Sequence, residues 1–404
     1  MSALSGLLRL AWTYLWARPL AAVLNVLLLS VGIASITLVV LVSEQVQASF
    51  DRDIRGIDLV VGAKGSPVQL ILAGVFHIDV PPGNIPLAEV QQLQAQPQVA
   101  QLIPLSLGDS FGGWRIVGTT HDYIRHYDAK LAQGALWSRP LQAVAGAQVA
   151  ERTGLRVGQT FAGAHGLGGG GAVHEQAPFE LAGVLAPCAC VLDRLILTAT
   201  ESVWLLHEKD TALDEADRQA LQAEREVTLA LIRYKSPLAA VTFPRFVNAT
   251  TGMQAAAPAV EVTRLLRLLG AGTEVLRGLG AVLLAAAGLS VFIALWSAVR
   301  ERRADLAMLR MLGAPPRRIA GLLIGEALWL AAIACVLGLA LGHALTAGVG
   351  LLLDAQRSLV VSGLWFSATE GWVVAGAFGV AVLAALLPSA SAYHADPGVV
   401  LNAR

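Results

Sequence analysis

Apolar residues in this chain gather into long runs separated by stretches of mixed character. The runs extend from about Pro19 to Val42, from about Leu279 to Val299, somewhere within Ile319 to Leu353, and from about Trp372 to Leu387. A helix needs about 20 predominantly apolar residues to cross the hydrocarbon core of a bilayer. The pattern predicts four transmembrane helices, one before a long mixed segment and three after it. Val46-Gln47-Ala48 loosely resembles a signal-peptide cleavage site. The run before it is longer than the roughly 7–15 residues of a secretory h-region, so it is read as a retained span.

The flanking and intervening segments have other rhythms. Leu7, Leu8, Leu10, Trp12, Leu15 and Trp16 alternate with Arg9 and Arg18, which suits an interfacial helix because Trp and Arg favour the headgroup level. Pro19 suits the first turn of the spanning helix. Ser30, Gly32 and Ser35 give that span small surfaces for close helix approach. Ser43 to Arg55 turns polar but stays helical in spacing, predicting a stalk. Gly62, Gly65, Pro67, Pro81, Pro82 and Gly83 then predict a helix stop and an irregular, loop-rich start to the next domain.

Further on, Leu87–Leu93 reads as a helix, and Trp114–Val117, Glu180–Leu185, Leu195–Ala199 and Val227–Tyr234 read as strands. Leu213–Glu226 reads as a solvated helix or linker. Short helices interleaved with short strands argue for an α+β domain. From Gln254 to Arg277, Leu265, Leu266, Leu268, Leu269 and Leu276 recur among Glu261, Arg264, Arg267 and Glu274, which predicts a second amphipathic stalk entering the second span.

Composition agrees with this picture: of 404 residues, 55% are apolar and 14% charged, unlike a typical soluble domain. The formal net charge of zero gives no overall field for nucleic acid. Charge is instead sorted by region. Arg9, Arg18, Arg300, Arg302, Arg303, Arg310, Arg317, Arg318 and Arg404 fall on one side of the spans, while the loop between the last two carries Arg357 against Asp354 and Glu370. The positive-inside rule then makes both termini and the arginine loop cytoplasmic. The segment from about Ser43 to Arg277 lies outside, which in a bacterium is the periplasm.

Candidate chemistry is sparse. The run Gly166, Gly168, Gly169, Gly170 and Gly171 lacks the Lys and hydroxyl residue of a phosphate-binding loop and reads as a flexible connection. No nucleophile and base stand out, so the chain is expected to be non-catalytic. His77, His121, His126, His165, His174 and His207 lie in the external segment with Cys188 and Cys190. Cys and His are the usual zinc ligands, which makes His174, Cys188 and Cys190 the candidate metal residues, but their spacing matches no standard zinc motif, and the default reading is solvated or hydrogen-bonded histidines with no metal. Cysteines this close, with one residue between them, are expected to form a strained disulfide at best and not a structural staple. Cys335, inside the third span, reads as a packing residue. Glu326, a carboxylate in an apolar run, is expected to form an interfacial ion pair with Arg318.

The most specific feature is the segment from Arg300 to Pro315. Leu306, Leu309 and Met311 among arginines describe an amphipathic helix, with Gly313 as its stop and Pro315 preventing continuation. A plain positive-inside loop needs no such apolar positions.

The run from Arg302 through Leu309-Arg310-Met311-Leu312-Gly313-Ala314 to Glu326, followed by Pro388, Ala390, Ala392 and Pro397, resembles the FtsX-like, or MacB-type, permease family of ABC transporters. The external Val60-Val61-Gly62-Ala63-Lys64-Gly65-Ser66-Pro67 and Val184-Leu185-Ala186-Pro187 with Asp193-Arg194 are similar to one branch of it. The resemblance implies an α-helical membrane protein with four transmembrane helices in a 1+3 layout and a large α+β periplasmic domain between the first and second. Its divisions are expected at 1–42, 43–270 and 271–404.

The resemblance further implies a bacterial inner-membrane subunit that works with a second copy of itself and a cytoplasmic ABC ATPase dimer carrying MgATP, this chain holding no cofactor. Arg302, Arg303, Leu306, Leu309, Arg310 and Gly313 would contact that ATPase, and the stalks would pass its motion to the periplasmic domain and a periplasmic protein partner. Two alternatives remain open: a metal-homeostasis permease with an external His/Cys site, and a membrane-anchored sensor or scaffold without ATP-driven cycling.

Overall fold

The computed structural model describes residues 3–166, 173–174, 176–211, 221–222, 224–355 and 361–394. Gly168–Gly171, most of the Leu213–Glu226 segment, Arg357, Pro397 and Arg404 lie outside the described residues. In chain order the helices are α1 (Ala3–Leu15), α2 (Pro19–Asp53), α3 (Pro67–Gly74), α4 (Leu87–Gln94), α5 (His121–His126), α6 (Ala147–Thr153), α7 (Thr200–Thr211), α8 (Ala239–Thr250), α9 (Pro258–Glu301), α10 (Arg303–Met311), α11 (Pro316–Ala355) and α12 (Thr369–His394). The strands are β1 (Leu59–Ala63), β2 (Ile85–Pro86), β3 (Val99–Phe111), β4 (Trp114–Thr119), β5 (Leu131–Gly134), β6 (Gln142–Ala145), β7 (Thr160–Phe161), β8 (Ala164–His165), β9 (Phe179–Leu185), β10 (Leu195–Ala199), β11 (Glu226–Val227), β12 (Leu229–Tyr234) and β13 (Met253–Ala256). Two compact units result, Met1–Val46 with Leu269–Arg404, and Gln47–Leu268.

In the second unit, strands run in the order β13-β1-β12-β3-β4-β10-β6-β9-β5, with β7 on β9 and β8 on β3. Pairings in this sheet are antiparallel except β4 with β10 and β6 with β9. The strand sequences explain their places. Every residue of β4 and β10 is buried, as expected of central strands covered on both faces. The β9 sequence alternates between buried and half-buried positions, the period-2 pattern of a strand with one face on the core.

The Gly- and Pro-marked stretch after the first stalk is more regular than its composition predicts. Val60 and Val61 are fully buried in β1, and Gly62 lets α3 lie close, since a Cβ there would sit 2.6 Å from Leu70 Cδ2. Ser66 caps α3 and Pro67 opens it. The residues read as breakers are a strand end and a helix start.

A buried polar network fixes the loops nearby. Val191 N–H donates to Asp53 Oδ1 at 3.0 Å, and Arg194 lies 3.9 Å from the other oxygen of that carboxylate. His77, at φ 55°, sits 2.9 Å from the Tyr123 hydroxyl through Nε2, and Arg115 donates to the Asp79 carbonyl at 2.8 Å. Burial, with Arg115 and Arg194 adding to it, holds the His77 imidazole well below the usual histidine range. Burial also lowers the Arg115 guanidinium to about 10.

The first unit contains helices long and apolar enough to span a membrane: α2, α9, α11 and α12. At 1.5 Å per residue, the 35 residues of α2 extend about 52 Å, well beyond the roughly 30 Å hydrocarbon core. Helix α9 begins at Pro258, after β13, so the predicted second stalk starts later than Gln254. The α2 and α11 backbones approach closely where α11 has no side chain. A Cβ on Gly338 would meet Ile33 Cβ at 2.7 Å and the Ser30 carbonyl at 2.9 Å, and one on Gly342 would meet Thr37 Cβ at 2.7 Å. Gly32 and Ser30, expected to serve such contacts, lie against the Leu284 backbone and hydrogen-bond to the Ala334 carbonyl respectively.

Two outcomes follow from these contacts. Gly338→Val should force α2 from α11 and lower the unfolding free energy by about 2 kcal/mol. Thermal unfolding of the detergent-solubilised protein checks this, with Gly348→Val, which has open space around it, nearly unchanged. For His77, the folded state holds the neutral ring while the unfolded ring titrates near 6.5. The unfolded state therefore binds more protons below that pH, and stability falls on acidification by up to about 1.4 kcal/mol per pH unit. His77→Gln should remove that part of the slope in unfolding measured from pH 7.5 to 5.5.

Candidate functional site

The arginine-rich segment folds as a short helix set between two long ones. Helix α9 ends at Glu301, Arg302 forms the break, and α10 follows from Arg303. At its far end Gly313 N–H donates to the Arg310 carbonyl and Ala314 N–H to the Leu309 carbonyl, both at 3.0 Å. This is the Schellman pattern, and it needs the left-handed backbone that Gly313 supplies at φ 91°. Pro315 and Pro316 then open α11.

The break is held from several directions. The Arg302 guanidinium donates to the Tyr14 carbonyl at 3.2 Å, lies 4.8 Å from the Tyr14 ring centroid, and sits 3.7 Å from Glu326 Oε1. One planar cation thus meets an α1 carbonyl, an aromatic face and an α11 carboxylate, a combination suited to arginine. Glu326 was expected to pair with Arg318. It pairs with Arg302 because the turn at the end of α9 brings that residue beside α11, whereas Arg318 is exposed. Arg18 forms an ion pair with Glu301. Helix α1 is seated on α11 through Trp329 Nε1–H to the Leu8 carbonyl at 3.1 Å and an edge contact between Trp12 and Trp329 at 4.9 Å.

Helix α10 has an inner and an outer apolar face. Leu306 and Ala307 are buried, and Leu309 packs partly buried against the same core. Leu306 and Leu309, expected at a partner contact, therefore act first as anchors. Arg303, Met308, Met311 and Leu312 are exposed, Leu312 at 85%. Arg310 is half-buried and Gly313 exposed. Met308 and Leu312 were given no role in the sequence; Met308 and Met311 fall on the side of α10 away from Leu306 and Leu309, and Leu312 follows the helix as its C-cap.

The external candidates separate into two places. Cys188 and Cys190 are disulfide-bonded to each other, so neither offers a thiolate to a metal, contrary to the sequence expectation. Their turn is anchored by the Asp193 carboxylate, which accepts from Cys188 N–H at 3.0 Å, and by Arg52, which donates to the Ala189 carbonyl. Burial raises the Asp193 carboxyl and lowers the Arg194 guanidinium from their ordinary values. His174 lies instead with His165 and Asp109, one ligand atom from each falling within 4.8 Å of the others. Asp109 carried no signal in the sequence.

Residues 22–242 match the MacB-like periplasmic core domain and residues 277–397 the FtsX-like permease C-terminal family. The chain is similar to the Pyoverdine export ATP-binding/permease protein PvdT of Pseudomonas fluorescens (strain Pf0-1), at 21% identity over 434 residues, covering 97% of this chain and 58% of that relative. Among solved structures it is similar to the periplasmic region of MacB from Actinobacillus actinomycetemcomitans, at 12% identity and TM-score 0.34, covering 53% of this chain and 95% of that one. It is also similar to the extracellular domain of the noncanonic ABC-type transporter YknZ from Gram-positive bacteria, at 12% identity and TM-score 0.30, covering 49% of this chain and 98% of that one. With the MacB-like match taking up more than half of the chain and the FtsX-like match following it, the protein belongs to the FtsX-like, MacB-type family of ABC-transporter permeases.

Proposed function

We propose that this chain is a non-catalytic inner-membrane permease subunit that couples ATP hydrolysis on a separate cytoplasmic ATPase to movement in the periplasm, as mechanotransmission or export. The observation that carries the reading is α10, a short helix braced at both ends with apolar side chains on two faces. The inner face fixes it to the spanning helices. The outer face presents Met308, Met311 and Leu312 beside Arg303, the mixture of apolar anchor and cationic rim that suits a protein groove with acidic edges.

In this reading both termini and α10 are cytoplasmic, two copies of the chain work together, and MgATP stays in the partner. ATPase closure would push on α10, and Arg302 would pass the push to α1 and α11 through Tyr14 and Glu326. The continuous helices α2 and α9 would carry it to the periplasmic domain. The curated relative's name joins ATP-binding and permease functions, which supports an ATP-driven cycle for this chain as well.

Copurification with the candidate ATPase tests the reading. Leu312→Asp, at an exposed position, should leave the fold intact, weaken association by about tenfold or more and abolish stimulated ATP hydrolysis, as expected for loss of an interface anchor. Undiminished copurification and turnover would overturn the assignment of α10. Arg302→Ala should leave Glu326 without its cation and lower stability by about 3 kcal/mol. Stimulated hydrolysis should fall while association persists, and Arg302→Lys should recover it only partly because the planar stack on Tyr14 is lost.

A further inference from the structure

Sheet register brings three metal-binding side chains together at one end of β3. Asp109 and His165 are direct cross-strand partners on β3 and β8, and Ser110 pairs with Ala164 beside them. The chain then returns through a bridge between Ala164 and Val173, and His174 N–H donates to the Gly163 carbonyl at 2.9 Å. Backbone hydrogen bonds therefore bring both imidazoles to one carboxylate. His165 Nδ1 lies 3.1 Å and His174 Nε2 3.6 Å from Asp109 Oδ1, with the rings 4.3 Å apart at 75°. Gly163 lies close against the sheet beside the cluster, since a Cβ there would come within 3.1 Å of Ile116 Cδ1 and 3.8 Å of Asp109 Cβ.

We propose that Asp109, His165 and His174 bind a divalent first-row transition-metal cation of the Zn2+ type. Tetrahedral coordination at 2.0–2.1 Å sets ligand atoms about 3.3 Å apart; the separations of 3.1 and 3.6 Å from Asp109 bracket that value, and the two imidazole nitrogens lie within 4.8 Å of each other. Asp109 is only 3% exposed, and neither of its carboxylate oxygens receives a hydrogen bond among the described residues. A carboxylate so buried is costly without a cation. A metal ion would neutralise the carboxylate and take a lone pair from each imidazole.

Two imidazoles with one carboxylate favour Zn2+, Ni2+, Cu2+ or Fe2+ over Mg2+ and Ca2+, which take oxygen ligands. Three protein ligands leave a fourth position for water or an exchanging donor. The bound ion ties the segment carrying His165 and His174 to β3. This site goes beyond the permease reading and does not depend on it.

The test uses the full chain, purified in detergent and stripped with a chelator, then titrated with Zn2+ by calorimetry and by competition with a chromophoric chelator. One Zn2+ per chain is expected. Asp109→Asn, His165→Ala and His174→Ala should each weaken binding by more than about 100-fold, loss of a direct ligand exceeding the 10–100-fold typical of losing a supporting hydrogen bond. His121→Ala, whose ring contacts the Trp137 carbonyl, should bind as the unsubstituted chain does. Co2+ gives a second readout that needs no variant, because a four-coordinate site produces intense visible absorption and hydrated Co2+ does not. Failure of the unsubstituted chain to bind Zn2+ and develop that absorption overturns the site. So does Zn2+ binding that survives all three substitutions, which places the ion elsewhere and leaves the cluster without a metal.

Discussion

Helices in a bilayer gain little from burying apolar side chains against one another, because lipid tails are equally apolar; close packing must hold them instead. The α2–α11 contact meets that constraint with glycine. Gly338 and Gly342 leave room for Ile33 and Thr37, and the Ser30 hydroxyl reaches the Ala334 carbonyl at 3.3 Å. Other parts of this unit also pack on α11. Helix α1 lies on it where Gly321 and Gly325 face Leu7 and Ala11. Glu326 on the same helix receives Arg302.

Many of the polar contacts are near the two ends of this bundle, and the Gly338 and Gly342 contacts with α2 lie between them. At one end are Arg302, Tyr14, Glu326 and the Arg18–Glu301 pair. At the other, Gln45 exchanges two hydrogen bonds with the Ser362 backbone, Glu44 accepts from Ser367 and Thr369, and His343 lies between the Gly363 carbonyl and Glu370. Such a division lets the middle be held by shape while the ends are held by directional bonds. Directional bonds have discrete arrangements, so in the proposed cycle a push at α10 would act on contacts that can switch rather than on a core that deforms continuously.

What the sequence disclosed follows from the range of each signal. The spanning helices are legible because their apolar runs are long and need no partner to interpret. The α10 stop is legible because Gly313 and Pro315 act locally, and β10 is legible as a short continuous run of buried residues. The β1–α3 segment misleads because Gly62, Gly65 and Pro67 are breakers in isolation. Gly62 is required by Leu70 across the sheet face, and Pro67 belongs to a capped helix start. The Glu326 partner was misread for the same reason. Spacing along α11 points to Arg318, and only the turn after α9 makes Arg302 the nearer cation.

The external histidines and cysteines carry this lesson furthest. Residue type marked His174, Cys188 and Cys190, and nearness in sequence grouped them. Sheet register groups them otherwise: Asp109 is 56 residues before His165 in the chain, yet they are opposite one another across β3 and β8. The cysteines belong to a turn organised by Asp53, Asp193 and Arg194, where a disulfide and buried carboxylates fix the backbone. Ligand chemistry can be read from residue types, but a ligand set is a property of register. An aspartate without any motif around it becomes the residue on which two imidazoles converge.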